Sequence, residues 1–439
     1  MRHSIYLLLV LTFSSLLVSS QNYYDVKFDF GYYDHPKAID NDGLDNVFIC
    51  GWSEDINKEN QRAFAIKVDK YGEEIWRINE STTSKFYSLC IMESGNIAIV
   101  GSKNNSSYIK VVDSSNGNEL WRYHETDSLG CWFGTVQELN NGDSKQLRPV
   151  NTKNGEYVPT VYTFDSNSGQ LIDKYQHWKL IDPVEFSFKQ SPSEFWFGAK
   201  DVVVRTNFEG SSLIWTYQAS HTAGMDRLSE NKLIIVRFDF GNWPYMSFMT
   251  QDLLTNDVDG KFVDFYDSDV EVIGSGMLGY SKILITGTSD GQLVLWIYDT
   301  DLNLQKERIY PSDSPKTGID VVGLQSDNIV IMGYETTNPA NSSDVFIMKR
   351  NAEGAVSYPE LPNEEDVVIY PNPVNDRMYV NNPKNLDLEI ELVNSIGVVV
   401  FKTSSTNNFI STELIPPGYY IALIKHNGIY INKQKLIIQ

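Results

Sequence analysis

The chain has 439 residues, enough for about three ordinary domains or for one large repeat domain with a small companion. Hydrophobic residues at 41% and charged residues at 21% exclude wholesale disorder. The formal net charge of -21 sets the chain against phosphate backbones and anionic lipid, so nucleic acid is not an expected partner.

The N-terminus opens with Met1, Arg2 and His3, then an apolar run over 5–18, then Ser19, Ser20 and Gln21. A short basic start, an apolar stretch and a small-residue end predict a secretory signal peptide over 1–20. The run is short for a membrane span, and no later apolar stretch is long enough to cross a bilayer.

Short apolar runs ending in glycine then recur: VFICG to Gly51, IAIVG to Gly101, FWFG to Gly198, ILITG to Gly287 and IVIMG to Gly333. The intervals are 50, 97, 89 and 46 residues. The two long ones read as double periods with diverged copies near Arg148 and Arg237. Seven units result. A second signature follows several of the runs: DKYGEEIW to Trp76, DSSNGNELW to Trp121 and NFEGSSLIW to Trp215. Asp or Asn followed by Gly is turn chemistry, and the apolar residue after it opens a new strand. Each unit therefore reads as four short strands, and no long helical periodicity appears. Four-stranded units at this period predict an all-β, seven-bladed β-propeller over 21–358. An array of β-sandwiches is the rival.

Residues 359–366, PELPNEED, form a proline-rich acidic linker. From 367 to 439 alternation resumes in strands of five to eight residues, which predicts a small Ig-like β-sandwich.

Two resemblances rest on these residues. ESGNIAIVG and DGLDNVFICG resemble the propeller repeats of secreted bacterial proteins. The Gly72–Trp76 and Gly117–Trp121 spacing is similar to the blades of quinone-cofactor dehydrogenases, where it is a packing motif and implies no quinone site. The C-terminal segment resembles the type A C-terminal sorting domain of type IX secretion cargo. Tyr370, Pro371, Asn372, Pro373, Asn375 and Asp376 match its opening motif. Gly397 ends its central turn, Gly418 and Tyr419 lie in its P-x-G-Y-Y strand, and Lys435 opens its apolar final strand. The terminal Gln439 departs from the basic end common in the family. The resemblance implies passage through the periplasm, recognition by the type IX translocon, cleavage in the linker, and release or attachment at the cell surface.

Other chemistry is sparse. GSGMLG over 274–279 has dinucleotide-loop spacing, but a strand rather than a helix follows it, so it reads as a turn. The histidines show no metal-ligand spacing, and neither H-E-x-x-H nor G-x-S-x-G occurs. Cys50, Cys90 and Cys131 read as buried thiols, with one disulfide as the alternative. Asp40, Asp42 and Asp45 place oxygen ligands at near-alternating positions, which suits calcium; a tight turn demands the same residues. No other cofactor is expected. Trp76, Trp121 and Trp215 recur in register and read as blade core. Off the repeat pattern, Phe240, Trp243 and Tyr245 form a candidate aromatic platform for an extracellular protein or glycan. Function stays open between a non-catalytic binding module, a propeller-scaffolded hydrolase or lyase, and a structural surface component.

Overall fold

The computed structural model describes residues 23–439 except 81–82, 127–129, 141, 143, 154–158, 177–183, 185, 200–201, 208–210, 217–220, 230, 240–244, 253–254, 256, 265–269, 338–341, 356–367, 383–387, 395–398, 406–408, 413–414 and 427–428. The leader, the linker, Gly397, Phe240 and Trp243 lie outside them. Two compact units divide at residues 356 and 357. Described secondary structure is β throughout.

Among the described residues the first unit is a ring of antiparallel four-stranded sheets, seven when the first and last, joined through the parallel pair Tyr33–Ser343 into one eight-stranded sheet, are counted apart. Six follow chain order without interruption: 33–79, 84–124, 131–176, 186–216, 221–264 and 270–310. The seventh takes three strands from 316–351 and its outermost strand, Asp25–Phe28, from the start of the described chain. The innermost strands are Tyr33–Asn41, Ser84–Ile91, Cys131–Asn140, Phe186–Ser191, His221–Ser229, Val270–Leu278 and Lys316–Gly323. Each touches the next, and the last touches the first.

Burial across a sheet explains the sequence pattern. Second and third strands are covered on both faces, so Val47–Glu54 and Ser106–Val112 are buried almost throughout and show no polar alternation in their burial. Fourth strands are mostly exposed, as in Leu304–Tyr310. Asp69, Asp113, Asp165 and Asp299 turn the third strand into the fourth by accepting backbone N–H groups two to four residues on. Apolar clusters form between neighbouring sheets: Phe48, Ala65 and Trp76 of the first sheet pack with Phe86, Ile99 and Tyr108 of the second. Trp76 donates its indole N–H to Ser114 O at 2.9 Å in the next sheet, and Trp121 does the same to Ser166 O at 3.1 Å. Cys50, Cys90 and Cys131 are buried.

The glycine inside the second strand of four sheets has a steric cause. Gly51, Gly101, Gly287 and Gly333 lie opposite the residue just before a β-bulge in the innermost strand. A Cβ there would collide with the carbonyl oxygen of His35, Lys85, Glu271 or Thr317.

One expectation is corrected. GSGMLG lies largely within the innermost strand Val270–Leu278, and only Gly279 reaches the turn. Gly274 and Gly276 face the carbonyl oxygens of Ile319 and Val321 in the next innermost strand, leaving no room for side chains.

The second unit, taken by itself, has a three-stranded sheet (Val368–Tyr370, Arg377–Asn381, Phe409–Ser411) and a four-stranded sheet (Leu388–Val393, Val399–Ser405, Gly418–His426, Ile429–Ile438). They enclose one core that includes Ile369, Met378, Ile390, Leu392, Ala422 and Leu436.

Candidate functional site

The innermost strands enclose a channel of about 760 Å3. Six of them carry a bulge near the middle or start, at Lys37, Tyr87, Gly134, Ala223, Ile273 and Ile319. All six of these residues line the channel. A bulge puts an extra residue on one strand and re-aims its side chain, so the repeated defect sets what the channel presents.

Three carboxylates stand in the wall: Asp40, Asp226 and Asp320, from the first, fifth and seventh sheets. Each accepts the N–H of the residue that follows it. Burial pushes Asp320 up to about 7, with Asp40 and Asp226 adding to the rise. Burial likewise pushes Asp40 and Asp226 up to about 6, against the opposing backbone N–H groups of Asn41 and Arg227. Thr135, Ser187 and Gln137 form a hydrogen-bonded polar group elsewhere on the wall.

An aromatic arc occupies the end where the innermost strands begin. His35 stacks on Trp52 with ring centres 5.1 Å apart, Trp52 meets Tyr87 at 5.4 Å, and Tyr87 meets Trp132 at 6.2 Å. The arc spans three sheets, and Tyr87 and Trp132 face the channel. Lys37 and Lys85 lie over the Trp52 ring at 5.1 and 4.8 Å. The Trp52 indole N–H is buried with no hydrogen-bond partner among the described residues. His35 lies 3.4 Å from Glu54. Burial lowers the pKa of His35, and Lys37 and Lys85 lower it further against the pull of Glu54.

Asp40, Asp42 and Asp45 do not converge. Asp40 faces the channel. Asp42 organises the turn by accepting from Leu44 N–H and from the Asn46 side chain. Asp45, at φ +66°, pairs with Lys349 at 3.0 Å. Tyr245 begins the third strand of the fifth sheet and its ring meets Phe262 of the outermost strand at 5.8 Å. It therefore contacts the outer edge of the sheet.

In the second unit the opening motif holds the last strand. Asn372 donates its amide to Lys435 O at 2.7 Å and accepts from Ile437 N–H at 2.9 Å. Val374 N–H donates to Ile437 O, and Gln439 N–H donates to Val374 O. Thr412 ties the same loop to Asn375 O and Asp376 O. Tyr370 stacks on Tyr379 at 5.7 Å, and Lys435 lies over Tyr419 at 5.5 Å. The family model described as a secretion system C-terminal sorting domain matches residues 368–439.

Residues 368–439 are a secretion-system C-terminal sorting domain.

The sorting domain marks the chain for export to the cell surface or the medium by the type IX route. No curated protein matches the chain. Among solved structures, the WD40 domain of Pan2 from Neurospora crassa is similar in fold at 10% identity, over 72% of this chain and 89% of that one, with a TM-score of 0.50. Two looser likenesses are PorZ, a surface component of the type IX secretion system of Porphyromonas gingivalis (10% identity, 92% of this chain, 59% of that one, TM-score 0.46), and virginiamycin B lyase from Staphylococcus aureus (11%, 74%, 98%, 0.48). No helix among the described residues is long and apolar enough to cross a membrane.

Proposed function

We propose that the exported propeller is a non-catalytic glycan-binding module whose ligand seats on the arc of His35, Trp52, Tyr87 and Trp132. The supporting observation is the arc itself: four rings across three sheets at the channel mouth, with a buried indole N–H awaiting an acceptor. Aromatic faces stack on the apolar faces of sugar rings, while the unpartnered donor suits a hydroxyl. The neighbouring lysines add favourable charge for acidic sugars. In this reading residues 1–20 are removed as a leader and processing falls within 359–366.

Binding to a panel of neutral and acidic polysaccharides, followed by calorimetry on the best of them, tests the reading. Trp132→Ala should weaken binding by roughly 2 kcal/mol with little change in melting temperature. Unchanged affinity removes the arc from the site. The raised carboxylates favour one competing reading, a hydrolase or lyase using Asp320 as a general acid. Release of products by the wild-type protein, abolished in Asp320→Asn, would establish that reading instead.

A further inference from the structure

Three carboxylates gather at the seam where the ring closes. Asp29 follows the closing strand Asp25–Phe28, Asp34 is the second residue of Tyr33–Asn41, and Asp344 lies in Ser342–Asn351 of the seventh sheet. One oxygen from each lies within 4.8 Å of the others. That is the spacing expected of ligands set about 2.4 Å from a common centre.

The second observation is Asp34 itself. The residue is 1% exposed. Its Oδ2 accepts from Phe30 N–H at 3.0 Å, whereas Oδ1 is buried without a hydrogen-bond partner. Ser343 holds the backbone on both sides, accepting from Asp34 N–H at 3.0 Å and donating to Asp34 O at 3.2 Å. The carboxylate therefore cannot relax toward solvent without breaking the seam. An unpartnered buried acceptor costs about 1–3 kcal/mol, and two nearby carboxylates add repulsion. Of the nearby cations, Lys27 and Lys316 pair with Glu335 at 2.8 and 3.5 Å, and Arg77 pairs with Glu74 and donates to the Asp29 carbonyl oxygen at 2.9 Å.

We propose that Asp29, Asp34 and Asp344 bind one calcium ion, which locks the closing strand to the first and seventh sheets. The donors are all hard oxygens, with neither imidazole nor thiolate, which favours calcium over zinc or copper. Three carboxylates supply up to six oxygens, and the exposed Asp29 leaves the outer side open to water. The site is separate from the channel and stands whatever the propeller binds.

The test uses the mature full chain stripped with EDTA, with calorimetric melting and titration against calcium chloride alone. Calcium should raise the propeller melting temperature by roughly 5 °C at saturation. Asp34→Asn and Asp344→Asn should abolish the rise and the binding heat. Neither should lower the calcium-free melting temperature, because the amide removes repulsion. Asp29→Asn, at an exposed position, should fold in any case and bind roughly tenfold more weakly. Asp42→Asn, in the turn, should keep the full response. A wild-type protein with neither shift nor heat overturns the proposal, as does a response that survives Asp34→Asn and Asp344→Asn or an Asp29→Asn titration identical to wild type.

Discussion

Gly101 joins a stability role to a site role. It faces the residue before the bulge at Tyr87, and any side chain there would strike the Lys85 carbonyl. Gly101→Ala should therefore cost roughly 3 kcal/mol in thermal or denaturant unfolding. Gly95→Ala is the informative contrast. Nothing lies near its absent Cβ, and only its φ of +84° resists substitution, so about 1 kcal/mol is expected. Equal costs at the two positions would deny the close approach. Surviving Gly101→Ala protein should also bind ligand more weakly, since relieving the clash moves Tyr87. These glycines were legible in the sequence as a repeat; their partners were not. A bulge leaves no residue signature of its own, so nothing in the sequence sets Tyr87 apart from other strand aromatics. Gly101 was the usable signal, because the extra residue follows its cross-strand partner, Phe86.

Among elements, the loop that opens the sorting domain behaves as a clasp on the final strand. Asn372 supplies both a donor and an acceptor to that strand, a pairing that aspartate cannot reproduce. Asn372→Ala should destabilise the sorting domain by about 1–2 kcal/mol, seen as a lower second transition in calorimetry of the full chain. Cells expressing it should accumulate unexported precursor. A normal transition with normal export would reduce the loop to decoration. This motif was readable because its chemistry is local and dense: Tyr370, Asn372, Asn375 and Asp376 fall within seven residues. The aromatic arc was unreadable for the opposite reason. His35, Trp52, Tyr87 and Trp132 are scattered over nearly a hundred residues and meet only when three sheets stand side by side.

The whole molecule carries a pH dependence set by its buried carboxylates. Asp34 and Asp320 are raised to about 7, and Asp40 and Asp226 to about 6. The folded state holds these protons where the unfolded chain, titrating near 4, has released them. Calcium-free stability should therefore fall as pH rises from about 4 to about 7 and level off above that. The lowered carboxylates, such as Glu80 beside Lys103 and Lys110, act only at the acid end, where protonation removes their contribution. Melting temperature measured across this range checks the sign, and Asp320→Asn should flatten the slope. A stability that climbs with pH would mean that other groups dominate. The recurring strand units were legible from glycine spacing, whereas the grouping of the channel carboxylates was not: Asp40 stood out only as a calcium or turn residue, and Asp226 and Asp320 reach the same wall from distant sheets.

The shared seventh sheet also imposes an order in time. Asp25 pairs with Met348, and Phe28 with Val345, so the ring joins nearly the first described residues to nearly the last of the propeller. While the polypeptide is being made, its opening strand has no partner until the other six sheets have emerged. Closure is then among the latest folding events, and loops spanning the whole domain close slowly. Until that moment the chain presents an unpaired strand edge at each end of an open arc, exposed to pairing with other chains and to proteases.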